Sequence, residues 1–140
     1  MTDRTFTIIK PNAVSAGNTG KILDIIIGNG YRIIGMRMVR MDRGQASRFY
    51  GIHKDKEFFN ELIEFMTSGP VVVAVLEKED AVASFRRLIG NTDPAEATEG
   101  TIRKMFGETL RRNAIHASDS DDNAALEAGY FFSEFDLVEY

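Results

Sequence analysis

Residues 5–10 place Phe6 and Ile8 on one face among β-branched neighbours, a period-two pattern that predicts a strand, and Pro11 ends it. Over residues 20–28, Ile22, Leu23, Ile26 and Ile27 recur at helical spacing, and Asn29-Gly30 stops the helix. Residues 31–41 alternate through Ile34, Met36 and Met38 and predict a second strand. A short helix is expected over residues 43–50 and a clearer one over 55–67. In the latter, Phe58, Leu62 and Met66 form one i, i+4, i+8 row, with Phe59 and Ile63 beside it. After the turn Ser68-Gly69-Pro70, residues 71–76 are apolar without a break, as suits a central strand covered on both faces. Helical spacing returns over residues 79–89 through Val82, Phe85 and Ile89.

Residues 90–100 are polar, contain Pro94 and read as a loop, with one helical turn expected within 101–106. A short strand is expected over residues 113–117. A last helix then runs to about Gly129, capped by Ser118 or Ser120, with Asp121 and Asp122 favoured by the helix dipole in its first turn. The order β-α-β-α-α-β-α-loop-β-α resembles a ferredoxin-like α+β sandwich, a four-stranded antiparallel sheet with helices on one face. No repeat or linker divides the chain, so residues 1–140 are expected to form one domain.

Composition narrows the chemistry. The 140 residues are 44% hydrophobic and 27% charged, ordinary for a soluble globular protein. A net charge of -4 and a pI near 5.2 weigh against general nucleic-acid binding. There is no cysteine, hence no disulfide or thiolate metal site, and two histidines cannot build a three-histidine zinc centre. Met1 to Thr5 lack the apolar core of a signal peptide, and no apolar run approaches the ~20 residues needed to span a bilayer, so the expected location is cytoplasmic.

Nucleotide-binding loops are missing in their usual forms. Gly17-Asn18-Thr19-Gly20-Lys21 has two residues between its glycines where a P-loop has four, and Ile22 follows where Ser or Thr is needed. His116 is the prominent candidate. It sits in Asn113-Ala114-Ile115-His116-Ala117-Ser118-Asp119-Ser120, among small polar residues. Glu127 lies on the following helix, on about the side of its cap. A carboxylate reaching one imidazole nitrogen would leave the other free to attack. The plainer reading, a histidine hydrogen-bonded at a strand end, stands beside it. Arg86, Arg103 and Lys10 are candidate phosphate ligands, Thr92 a hydroxyl donor, and Phe58 a stacking platform or a core residue. Arg111, Arg112 and His53 read as surface or structural residues.

Taken together, these segments resemble the nucleoside diphosphate kinase family over essentially the whole chain. The resemblance rests on Asn113-x-x-His116-Ala117-Ser118-Asp119-Ser120, with Thr7-Ile8-Ile9-Lys10-Pro11, Phe58-Phe59 through Val72, Arg86-x-x-x-Gly90-x-Thr92-x-Pro94-Ala95 and Gly100-Thr101-Ile102-Arg103 in support. It implies that His116 accepts the γ-phosphate of a nucleoside triphosphate, mainly ATP, on Nδ1 and passes it to a nucleoside diphosphate, with Mg2+ carried on the nucleotide phosphates. Glu127 would orient the imidazole and Ser118 would support Glu127. Tyr50 would lie near the transferred group, while Arg86, Thr92 and Arg103 hold phosphates. Lys10 and Asn113 would bind the sugar, and Phe58 would stack on the base with Leu110 opposite. A homo-oligomer is implied, tetramer first, with hexamer and dimer open.

Four positions depart from the family's usual pattern. Ala117 stands where glycine is common, Asn12-Ala13 follows Lys-Pro in place of Asp-Gly or Asp-Ala, Glu57 replaces a proline and Met105 an aspartate. Two rival readings are a non-enzymatic ferredoxin-like module binding a small effector and a single-strand nucleic-acid binder. The first gives no reason for His116 beside Glu127, Arg86 and Arg103, and the acidic charge weakens the second.

Overall fold

The computed structural model describes residues 3–140; Met1 and Thr2 lie outside the described residues, as does the part of the signal-peptide expectation that falls on them. Four strands form the sheet: β1 (Arg4–Ile9), β2 (Arg32–Val39), β3 (Val71–Glu77) and β4 (Ile115–Ala117). Their order is β2-β3-β1-β4 and every pairing is antiparallel, the ferredoxin-like arrangement. The helices are α1 (Pro11–Ser15), α2 (Thr19–Gly28), α3 (Arg43–Phe49), α4 (Phe59–Met66), α5 (Ala81–Ile89), α6 (Ile102–Phe106) and α7 (Asp121–Gly129).

Helices cover both faces of the sheet, which corrects the expectation of helices on one face only. Alternation along β3 sends Val71, Val73 and Val75 to one side and Val72, Ala74 and Leu76 to the other, and all six are buried. On the first side they meet Ala46 of α3, Ile63 and Met66 of α4, and Phe132 of the C-terminal segment. On the second they meet Ile22 and Ile26 of α2 and Phe85 and Ile89 of α5. Each fully buried Ile or Phe contributes roughly 1.5–3 kcal/mol, so both layers are needed. The unbroken apolar run of β3 was the sequence signal for this, and it outweighs the one-sided reading drawn from element order.

Three local boundaries differ from the sequence pattern. Pro11 starts helix α1 at the end of β1, where its missing N–H costs nothing and its φ suits the first turn. Helix α4 begins at Phe59, so Phe58 is its cap residue, partly buried against the same core cluster that holds Leu62 and Met66; a 3-10 turn at Gly51–His53 and further turns fill the interval before it. The loop after α5 holds its own 3-10 turn, Pro94–Glu96, started by Asp93, which accepts from the Ala95 N–H at 3.0 Å. At the start of α7, Ser120 is the cap, accepting from the Asn123 N–H at 3.1 Å. That leaves Ser118 free for the site.

Candidate active site

His116 lies at the centre of β4, opposite Ile8 of β1. Facing residues of an antiparallel pair share a face, so its ring emerges on the α3 side of the sheet. There it packs edge-on to Phe49 at 5.6 Å and to Phe6 at 6.3 Å. Two turns along α7 from its cap, Glu127 points back at the strand. His116 Nε2 and Glu127 Oε1 are 2.8 Å apart, and Ser118 Oγ donates to the same oxygen at 2.6 Å. An ionised carboxylate only accepts, so Nε2 carries the proton and Nδ1 keeps its lone pair. Ser118 is fully buried and tied to Phe6 through its backbone N–H at 3.2 Å, which fixes it against β1.

Beside His116 opens a cavity of about 250 Å³, whose walls include Tyr50, His53, Arg86, Asp119 and Glu127. The Tyr50 hydroxyl is buried without a hydrogen-bond partner, and burial, helped by the Glu127 charge, raises its pKa well above that of an ordinary phenol. Arg86, in the last turn of α5, is exposed and brings a guanidinium to the same cavity. His53, read as surface or structural, packs on Phe58 and also borders the cavity, three residues after Tyr50. Burial and the Lys56 charge lower its pKa.

A second cluster forms behind β4. Lys10 Nζ donates to Asn113 Oδ1 at 2.8 Å, and Asn113 Nδ2 donates to the carbonyls of Thr92 (3.0 Å) and Leu110 (3.1 Å). Asn113 thereby ties the end of β1 to two loops. Burial, with the charge of Arg103, lowers the Lys10 pKa to about 7. Arg103 donates to Gly90 O at 3.1 Å and Ile115 O at 2.9 Å, and its Nε is buried without a partner. Burial, then the charge of Arg86, brings its pKa down to about 10. Gly90 has a φ of 91°, and a Cβ there would lie 2.6 Å from Thr101 Oγ1, so only glycine turns the chain here and delivers that carbonyl.

Not every candidate residue gathers at His116. Thr92 is joined to Asn113 through its carbonyl and is exposed; neither it nor Phe58 nor Leu110 lines the His116 cavity. Phe58 is partly buried against His53, ring centres 5.7 Å apart. The Arg111 guanidinium lies 4.3 Å over the Phe58 ring, and Arg112 lies 5.1 Å over Phe65, so these two arginines cover aromatic rings and are not simply solvated charge. Adjacent residues facing different ways was the right inference about them; that each would find a ring was not visible in sequence.

The departures from the family pattern also find places. Ala117 is not among the residues with positive φ, so its methyl is accommodated in β4. Within this motif the left-handed residue is instead Ala114, with a φ of 78° and no exposure. Asn12 donates through Nδ2 to Glu108 Oε2 and to Arg112 O, both at 3.0 Å, bonds that an aspartate could not make. Met105 and Glu57 are exposed.

A histidine tied through one nitrogen to a carboxylate, beside a cavity that Arg48 and Arg86 line, puts a nucleophilic nitrogen near cationic donors, which suits transfer of a phosphoryl group. Comparison with known proteins agrees. The family model for nucleoside diphosphate kinase matches residues 3–137. The nucleoside diphosphate kinase of Methylorubrum populi is 52% identical over 136 residues, 97% of each chain, and that of Phenylobacterium zucineum 51% identical over 138 residues, 99% of each. Among solved structures, the Aquifex aeolicus nucleoside diphosphate kinase superposes with a TM-score of 0.96 at 45% identity, covering 99% of this chain and 100% of that one. The halophilic enzyme of Halobacterium salinarum, solved in complex with CDP, superposes with a TM-score of 0.94 at 38% identity, covering 100% of this chain and 93% of that one. The chain belongs to the nucleoside diphosphate kinase family. Among the described residues, no helix is long and apolar enough to cross a membrane.

Proposed function

We propose that this chain, acting as one domain over residues 1–140, transfers the γ-phosphate of a nucleoside triphosphate, mainly ATP, to a nucleoside diphosphate through a phosphohistidine on His116. One observation carries the reading: Glu127 and Ser118 hold the Nε2 side of the ring and leave Nδ1 as the nucleophile beside an arginine-lined cavity. The Nδ1 lone pair forms a bond to the γ-phosphorus as the bond from that phosphorus to the β-γ bridging oxygen breaks. The diphosphate leaves with that oxygen. An acceptor diphosphate then attacks the phosphorus with a terminal oxygen, the P–N bond breaks, and His116 is restored.

The surroundings suit a loose phosphoryl-transfer transition state, in which positioning and charge stabilisation do most of the catalysis. Arg86 faces the cavity, and Arg103 keeps donors beyond the two given to carbonyls. Both hold phosphate oxygens, with the Thr92 hydroxyl. The unpartnered Tyr50 hydroxyl donates to the transferred group. Lys10 and Asn113 hold the sugar, and Phe58 stacks on the base opposite Leu110. The CDP bound by the similar Halobacterium protein supports nucleotide binding here.

Mg2+ on the nucleotide phosphates supplies neutralisation of their charge. The residues fit a cation delivered that way: Arg86 faces the cavity where phosphates would lie, Glu127 is occupied by two donors, and Asp119 accepts from Asn123 Nδ2 at 2.6 Å. We also infer a cytoplasmic homo-oligomer, tetramer first. The exposed Met36 and Met38 on the sheet-edge strand β2 support self-association.

The test is direct. Incubation with γ-labelled ATP and Mg2+ should leave an acid-labile, alkali-stable phosphate on the protein that any nucleoside diphosphate removes. Absence of label, or undiminished label on His116→Ala, would overturn the mechanism.

A further inference from the structure

The Phe58 ring is not bare. The Arg111 guanidinium lies 4.3 Å from its centre, Lys56 Nζ lies 5.6 Å away, and the His53 ring leans on it at 5.7 Å. Arg111 has no hydrogen bond or ion pair among the described residues, although Glu61 and Glu64 line a shallow surface cavity with it. The main chain that carries it is held firmly. The Glu108 N–H donates to Arg112 O at 2.8 Å, the Arg112 N–H to Thr109 Oγ1 at 3.1 Å, and Asn113 Nδ2 to Leu110 O at 3.1 Å. Asn12 then ties this turn to α1 through Glu108 Oε2 and Arg112 O. With the backbone pinned on both sides, the Arg111 side chain lies within reach of whatever stacks on the Phe58 ring.

Stacking by itself scarcely distinguishes bases, because every base has a π-face. A guanidinium does, since it only donates hydrogen bonds. Guanine O6 and N7 accept from such a fork, and uracil O4 accepts too. Adenine N6 and cytosine N4 place an amino donor where guanine O6 and uracil O4 accept, so adenine offers the fork only its N7. We propose that Arg111 reads the exocyclic group of the base stacked on Phe58, favouring guanine and uracil or thymine nucleotides over adenine and cytosine nucleotides. This rests on the proposed nucleotide site and adds a specificity determinant to it.

UDP against CDP is the cleanest comparison, because the two rings are the same size and differ at position 4 by an oxygen or an amino group. With ATP as common donor, kcat/KM for UDP should exceed that for CDP, and GDP should exceed ADP. In Arg111→Ala the UDP:CDP ratio should fall by about fivefold, the scale of one net hydrogen bond. Asn12→Asp places a carboxylate against Glu108 and loosens the turn, so it should shrink the same ratio without touching Arg111. An Arg111 that merely braces the Phe58 ring would lower all four values together and leave the ratio unchanged; that result overturns the proposal. Should Arg111→Ala fold poorly, Arg111→Gln, whose amide both donates and accepts, should bring the ratio towards one, and an unchanged ratio there overturns it equally. Phe58→Ala separates the two levels of argument. A general loss across all four nucleotides upholds the base site while the ratio judges Arg111, whereas no loss removes the base site itself and the proposal with it.

Discussion

His116 Nε2 and Ser118 Oγ meet on one oxygen, Oε1 of Glu127, at 2.8 and 2.6 Å. Two residues of one strand segment thus hold a carboxylate delivered by a helix, and that carboxylate fixes the imidazole. Glu127→Ala should slow phosphorylation of His116 on the order of 10- to 100-fold, the scale of losing a histidine's orienting partner. Nucleotide affinity should change far less. Single-turnover phosphorylation beside equilibrium binding separates the two; an unchanged rate would mean Glu127 does not orient the ring.

Tyr50 couples stability and chemistry in opposite directions. Its hydroxyl is buried and unpartnered, and such a group costs about 1–3 kcal/mol. Tyr50→Phe should therefore match or exceed the wild type in urea unfolding, yet transfer phosphate more slowly. A less stable variant with normal turnover would show that the hydroxyl serves the fold.

Lys10 gives a pH signature. Burial, with the charge of Arg103, lowers its folded pKa to about 7, against 10.5 when unfolded. Between those values the unfolded chain binds more protons than the folded one, so this contribution to stability rises with pH, beginning near 7 and complete above 10.5. From pH 7 to 9 the Lys10 contribution should raise stability by about 2 kcal/mol, and Lys10→Met should lack that rise. Chemical denaturation of both proteins at the two pH values checks it; parallel curves would refute it.

Ala114 holds left-handed backbone at a φ of 78° without any exposure, and its carbonyl accepts from the Lys10 N–H at 2.8 Å. A β-branched side chain is strongly disfavoured there, and the position is fully buried in the core, where two more methyls would have to displace packed neighbours. Ala114→Val should destabilise the protein by about 2 kcal/mol or more, while Ala114→Gly should lie within about 1 kcal/mol of wild type. Thermal or urea unfolding of the pair gives the answer.

The strands and most helices could be read from one dimension, because period-two and period-3.6 patterns are local, and so are the short motifs that carry the family resemblance. The unbroken run Val71 to Leu76 already carried the two-sided burial of β3. Where the pattern misled, a neighbour in space decided. Phe58 fits the spacing of a buried helical row and does pack on that core, yet at the cap of α4 its ring also meets His53 and Arg111. The left-handed turn falls on Ala114, an alanine that gives no such signal, while Ala117 remains ordinary strand.

Sequence alone determined that this chain carries a histidine, a carboxylate, arginines and an aromatic in the order of one kinase family. It could not show which of them touch. That Glu127 spans α7 to β4, that Asn113 joins Lys10 to two loops, and that Arg111 lies over Phe58 are contacts between segments far apart in the chain. Such contacts form only when the two hydrophobic layers fold onto the sheet, and spacing along the chain does not encode their distances.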